Sequence, residues 1–350
     1  MRITMVAERL AYPLDEGIKN LTLNLLTALR REHDVQALTV YGQDMPDLGV
    51  RDLRANKAFV GGELVAAARA FAPEGLLYVP TACATLGSFV RGRALSWQCG
   101  APLALLALQV RRYGAMATRL MPLLTPERIL VQSQRTARSL VALGEQVAGR
   151  IRPLPPAVDL RRFSPPLDAE RRDLRERWGV SQDAYLLLHV GHLNTGRGLR
   201  DLLTVSRRHD EQIMVVGSSS TPHDPELVSA LRAQGVRVVD HAVDEIAEVY
   251  ALADCYLFPV RGEVSSIDMP LSVLEAMACG LPVISRPFGA LPRTFEKAPG
   301  VWFAESGDAV RGCLDSIRAG EPVATRELVL EYTWDNLARA VVREAFGGSA

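Results

Sequence analysis

The stretch "SSIDMPLSVLEAMACGLPVIS", Ser265 to Ser285, reads as a loop, a short helix and a buried strand. Pro270 suits a first helical position, and Asp268 stands where a cap belongs. Gly280 and Pro282 stop the helix, and Val283 and Ile284 open the strand. Leu271, Val273, Leu274, Met277 and Ala278 make the helix largely apolar, which predicts burial. Glu275 sits in its middle. A buried carboxylate is costly unless something pairs with it, so Glu275 calls for either a structural partner, such as a nearby Arg, or a ligand.

The same alternation of short apolar runs and longer amphipathic ones extends along the chain, which argues for parallel sheets covered by helices. In the front half "ITMVA", "DVQALTV", "LLYV", "LALLAL" and "RILVQ" read as strands, and "IKNLTLNLLTAL" puts Ile18, Leu21, Leu25, Leu26 and Leu29 on one helical face. In the back half "YLLLHV", "IMVVG", "VRVVD", "CYLFPV", "PVIS" and "VWFA" read as strands, with helices predicted in "LRDLLTVSRRH" and "DEIAEVYALA". Two successive doubly wound units fit this better than one sheet. The proline-rich run Arg152 to Pro166 marks the boundary. At 350 residues the chain is long enough for two domains.

Ligands of open parallel sheets sit at the carboxyl ends of the strands. Three loops therefore qualify as sites: "VGHLNTGRG", "GSSSTPHD" and "RGEVSSIDMP". Glu275 lies in the helix leaving the third, where first-turn N–H groups form an anion site and a deeper carboxylate suits ribose hydroxyls. In "GHLNTGRG" Gly191 and Gly196 are spaced as in a phosphate loop, with Arg197 in the place of Lys. Gly198 replaces the hydroxyl residue that would hold magnesium, which argues against a P-loop ATPase. What remains is a glycine-rich loop with one Arg able to clamp a diphosphate, or a tight turn with a solvated Arg.

Charge and cysteine usage narrow the setting. Net charge is zero, yet residues 1–150 carry 18 Lys and Arg against 12 Asp and Glu, and residues 151–350 carry 22 against 28. The basic front half suits an anionic acceptor or a lipid surface, or is simply a solvated face. No basic run resembles a nucleic-acid site. Cys83, Cys99, Cys255, Cys279 and Cys313 form no C-x-x-C pair and read as reduced thiols. "MRITMVAE" reads as a strand rather than a signal peptide, and no uncharged run is long enough to span a bilayer. A cytoplasmic protein, peripheral to a membrane at most, is expected.

Taken together, these motifs resemble the family-4 retaining glycosyltransferases of the GT-B fold. The likeness is carried by "ILVQSQRTARSLVALG" with "IRPLPPAVDLRRFSPP", "LLLHVGHLNTGRGLRDLL", "IMVVGSSS", "DEIAEVYALADCYLFPV", "MPLSVLEAMACGLPVIS", "PFGALPRTF" and "YTWDNLARAVV", with "DEGIKN" near the start. It implies an α/β protein of two Rossmann-like doubly wound domains facing a central cleft. Residues 1–157 would form the acceptor-side domain, 158–332 the nucleotide-sugar domain, and 333–350 a helix crossing back.

By position, the resemblance implies that Glu275 binds the ribose, as the second Glu of an E-x7-E motif. Arg197 holds the diphosphate and stabilises it as it leaves. Gly17 belongs to an N-terminal glycine loop, with Gly191 and His192 in the second. Leu271 and Ser272 offer backbone N–H groups, and His241 and Ala242 line the base. Three departures stand out. Ile267 replaces the first Glu of E-x7-E, which touches the transferred sugar, and Asp268 or Glu263 are the substitutes at hand. His192 replaces a basic residue. No His follows the "LALLAL" strand, where Gln109 and Arg111 stand.

The implied function is transfer from a nucleotide-diphosphate sugar to a glycan, lipid-linked or small-molecule acceptor by front-face displacement, with no cofactor and no metal. The alternative is a non-catalytic nucleotide-sugar-binding protein or partner subunit. A nicotinamide dehydrogenase lacks support, because "VAERLAYPLDEG" holds no G-x-G-x-x-G after the first strand.

Overall fold

The apolar runs form two all-parallel sheets. In the computed structural model the described residues are 1–205, 208–219 and 221–347. The first sheet comprises β1 (Arg2–Ala7), β2 (Asp34–Thr39), β3 (Val50–Asp52), β4 (Gly75–Val79), β5 (Leu103–Ala107), β6 (Arg128–Val131) and β7 (Ile151–Pro153). The second comprises β8 (Tyr185–Val190), β9 (Glu211–Val216), β10 (Arg237–Val239), β11 (Cys255–Phe258), β12 (Val283–Ser285) and β13 (Val301–Phe303). Their orders are β3-β2-β1-β4-β5-β6-β7 and β10-β9-β8-β11-β12-β13. Both are doubly wound, Rossmann-like sheets, and in each the winding direction reverses beside the first strand. The second sheet thus has its topological switch point between β8 and β11.

Central strands are buried on both faces, as their near-continuous Leu, Ile and Val content requires. Two short edge strands, β3 and β7, were not legible as apolar runs. Each has three residues, and β7 ends in Pro153, which an edge tolerates because its missing N–H faces no partner.

The chain divides into two compact units. One holds Met1–Pro156, Ile267–Met269 and the stretch from Trp334; the other holds Ala157–Ser266 and Pro270–Thr333. The expected 158–332 domain is therefore interrupted: residues 267–269 belong to the first unit. Asp268 explains why. Its N–H donates to Leu108 O at 2.8 Å, and its carboxylate Oδ2 accepts from the hydroxyls of Ser133 and Thr136. The closing helix, Trp334–Phe346, packs on the Gly17–Leu29 helix of the same unit, and Arg31 meets Asp335 at 2.6 Å.

Three local expectations change. Asp268 does not cap the helix after it: Pro270 is the N-cap of Leu271–Ala278 and no side chain caps it. Gly17 is the first residue of its helix rather than part of a loop. "LRDLLTVSRRH" forms a 3₁₀ helix over Leu199–Thr204 instead of an α-helix; its buried Leu199 and Leu202 are three apart, which is the 3₁₀ repeat. Ser206 and Arg207 of that stretch, and Ser220 of the loop after β9, lie outside the described residues.

Replacing Asp268 by Ala leaves two hydroxyls facing a void, and Ser133 also caps Gln134–Val141 by accepting from Thr136 N at 2.9 Å. The expected cost is about 1–3 kcal/mol of stability, read from the urea midpoint. An unchanged midpoint would show that the Asp268 clasp contributes nothing to the first unit.

Candidate functional site

The loops leaving β8 and β11 flank the switch point of the second sheet, and they are the loops that carry Arg197 and lead to Glu275. Two glycines let these loops meet. Gly198 has φ +66°, and a Cβ there would lie 2.2 Å from Pro259 O, so the backbones touch where no side chain fits. Gly262 N donates to Gly196 O at 3.1 Å and fastens the pair. Farther along, Asp201 receives Arg261 through both carboxylate oxygens, at 2.7 and 2.6 Å, and Arg286 at 3.1 Å.

Arg197 is the unusual group. It is 7% exposed, and among the described residues no carboxylate or hydrogen-bond acceptor meets its guanidinium; its Nε is buried and unpartnered. Desolvation lowers its pKa to about 10, so it stays cationic at neutral pH. A buried cation without a counter-charge is expensive, and an incoming anion removes that expense. Gly191 keeps the space beside it open: a Cβ there would lie 3.1 Å from Arg197 Nη1 and 3.0 Å from His189 Nε2.

Tyr256 of β11 ties this loop to the helix beyond. Its hydroxyl donates to Val190 O at 3.2 Å. Burial raises its pKa, and Ser272 and the charge of Arg197 both act on it against that rise. Leu271 and Ser272 open the Leu271–Ala278 helix, so their N–H groups have no intrahelical acceptor. Glu275 is half-buried, and its Oε2 accepts from the Tyr250 hydroxyl at 2.7 Å. Desolvation pushes its pKa up to about 7, against the Tyr250 hydrogen bond and the nearby charge of Arg162, which lower it. The partner that the sequence demanded is thus a tyrosine hydroxyl rather than an arginine contact. No described residue donates to Oε1, which leaves acceptor capacity for a ligand.

The remaining predicted positions are spread out. His192 is half-buried, with Nδ1 2.7 Å from Thr221 Oγ1. His241 and Ala242 are exposed in the loop after β10. Gly17 and Asp268 lie in the first unit, where Ile267 is buried and approaches the Cβ position of Gly17 at 3.7 Å. Among the described residues no three His, Cys, Asp or Glu side chains cluster to hold a metal. Three residues of the second-unit cluster escaped sequence reasoning: His189, Tyr250 and Tyr256. Each is the odd polar group in an apolar run, as Glu275 is, and that signal was available.

Two Rossmann-like units, one with an anion-ready switch point, define the chain as an α/β protein of the GT-B class. Residues 184–318 match the family model described as glycosyl transferases group 1. The chain is 28% identical over 243 residues, 61% of its length, to a D-inositol 3-phosphate glycosyltransferase of Xylanimonas cellulosilytica, 55% of which is covered. It is 31% identical over 176 residues, 46% of its length, to a GDP-mannose-dependent alpha-(1-6)-phosphatidylinositol monomannoside mannosyltransferase of Mycolicibacterium smegmatis, 44% of which is covered. The chain spans about half the length of the curated relatives it matches. Among solved structures, HepE of Anabaena in complex with UDP superposes with a TM-score of 0.76 at 14% identity, covering 98% of this chain and 99% of that one. Sucrose-phosphate synthase of Thermosynechococcus elongatus gives 0.75 at 17% identity, with all of both chains covered. These two likenesses bear on the fold.

Proposed function

We propose that the protein is a glycosyltransferase that moves a sugar from a nucleotide-diphosphate sugar to an acceptor with retention of anomeric configuration. The observation that carries this reading is Arg197: a buried, unpartnered guanidinium at the switch point of a nucleotide-type sheet. The group 1 family match over the second unit and the names of the relatives support it.

In this reading Arg197 and the first-turn N–H groups of Leu271 and Ser272 hold the diphosphate, and Glu275 accepts from the ribose hydroxyls. As the glycosidic bond breaks, negative charge grows on the leaving diphosphate. Fixed positive charge stabilises that change without reorganisation, which is where such a site accelerates the reaction. The acceptor hydroxyl attacks from the leaving-group side, its proton passes to the departing phosphate, and configuration is retained. No metal is assigned a role, because the guanidinium and helix terminus supply the positive charge. The test is a turnover assay: nucleotide diphosphate should appear when the matching sugar donor and an acceptor are both supplied. Binding without release under any donor and acceptor pair would favour the non-catalytic reading. A specific observation backs that alternative, since Ile267 stands where a sugar-binding Glu is expected and Asp268 is already engaged by Ser133 and Thr136.

The acceptor side we place at a membrane surface, within a cytoplasmic setting that suits the free cysteines. Residues 101–126 contain no Asp or Glu, but they include Arg111, Arg112 and Arg119. In the helical stretch 115–124, Met116, Leu120 and Leu123 share one face by spacing, and Met116 and Leu123 are 69% and 72% exposed. Apolar side chains interleaved with Arg fit an anionic bilayer. No described helix is long and apolar enough to cross one. Co-sedimentation with phosphatidylglycerol vesicles should fall about tenfold in the Met116→Ser, Leu123→Ser double variant, the scale expected for losing part of two buried side chains. Equal sedimentation of both proteins would remove this surface from the account.

A further inference from the structure

His189 is the last but one residue of β8, is fully buried, and has no role in the scheme above. Its Nδ1 lies 2.8 Å from Leu257 O. A carbonyl oxygen only accepts, so Nδ1 carries the proton and Nε2 presents a lone pair. That Nε2 is buried and has no partner among the described residues, and neither has the Nε of Arg197. Both side chains border one point, the missing Cβ of Gly191, with His189 Nε2 at 3.0 Å and Arg197 Nη1 at 3.1 Å. An orphaned acceptor and an orphaned donor group therefore share one pocket. The imidazole is held in place from two sides, by Tyr256 and by Phe258, with ring centroids 6.2 Å away in each case.

We propose that His189 is the positioning residue for Arg197, its Nε2 lone pair being the internal acceptor that the guanidinium takes when it turns to engage an anion. This rests on the reading of Arg197 as a diphosphate-binding group. The choice of side chain has a physical logic. A carboxylate in this place would pair with Arg197 and cancel the charge the ligand needs. Burial drops the imidazole pKa to about 3, so His189 is neutral at working pH and orients the guanidinium without neutralising it.

The experiment has two arms, both on the full chain. The first follows the ring nitrogens of His189 by ¹⁵N NMR, with and without inorganic pyrophosphate. The Nε2 resonance should move on addition of pyrophosphate, should differ between wild type and Arg197→Met once pyrophosphate is bound, and should not respond to pyrophosphate in that variant. The second arm measures pyrophosphate affinity by calorimetry. His189→Phe keeps the ring volume but removes the lone pair, and should weaken binding about tenfold, as expected for one hydrogen bond to a charged group. His189→Gln restores a neutral acceptor and should recover most of that loss. In the Arg197→Met background the Phe change should have no further effect. An Nε2 resonance indifferent to both pyrophosphate and Arg197→Met would overturn the proposal, as would a His189→Phe loss of equal size with and without Arg197. Should Arg197→Met leave pyrophosphate affinity intact, the diphosphate reading itself fails. The pairing is then decided by the pyrophosphate-saturated proteins alone: an Nε2 resonance that differs between wild type and Arg197→Met keeps it and an identical one ends it.

Discussion

Replacing Arg197 by Met is expected to weaken a nucleoside diphosphate roughly 100-fold while leaving the parent nucleoside within about twofold, since a guanidinium offers two charge-assisted hydrogen bonds to phosphate and nothing to base or ribose. The same substitution should leave the free protein as stable as wild type or more so, by about 1–2 kcal/mol. The sign follows from burial. The folded pKa of about 10 lies below that of a solvated guanidinium, so folding works against the charged form at every pH below about 10. Removing the cation removes that opposition, and only the liganded protein should suffer. Melting curves with and without the diphosphate read both halves. Destabilisation of the free protein together with equal losses for nucleoside and diphosphate would mean that Arg197 supports the fold instead.

Glu275→Gln is the second large effect. The carboxylate accepts from Tyr250 through one oxygen and has the other to give. Its loss should weaken nucleotide binding about 10- to 100-fold, the range for hydrogen bonds to a charged group. The pH dependence is more diagnostic. The folded pKa of about 7 lies above the ordinary glutamate value of about 4.5, so the free protein loses stability as pH rises from about 4.5 to 7 and is level above that. Ribose hydroxyls donate best to the ionised form, so nucleotide affinity should climb as pH passes through about 7 and then flatten. Calorimetry across that window on wild type and Glu275→Gln isolates the contribution, because ligand phosphate titration is common to both. A climb that persists in the variant would assign it to another group and return Glu275 to a structural role.

Glu275 and Arg197 were legible because each breaks a local rule: a carboxylate in an apolar helix, and an Arg in a glycine loop. The central strands were legible too, since buried parallel strands are apolar throughout, whereas the three-residue edge strands β3 and β7 were not. What the sequence withheld depends on the third dimension. Strand order alone reveals that the loops after β8 and β11 share the switch point. Asp268 looks like a cap from its neighbours, yet its partners Ser133 and Thr136 lie 135 and 132 positions away. His189 is lost among leucines in "YLLLHV", although a lone imidazole in such a run is as anomalous as Glu275. The 3₁₀ helix after Gly198 deceived the helical reading because an i, i+3 pair of leucines serves both geometries.

The most direct test of the account is a calorimetric titration of the wild-type protein with uridine, guanosine and adenosine diphosphates, each beside its nucleoside. The account predicts that at least one diphosphate binds tightly, that its nucleoside binds far more weakly, and that Arg197→Met erases most of the difference. Nucleoside and diphosphate binding equally for every base, or none binding at all, would contradict it.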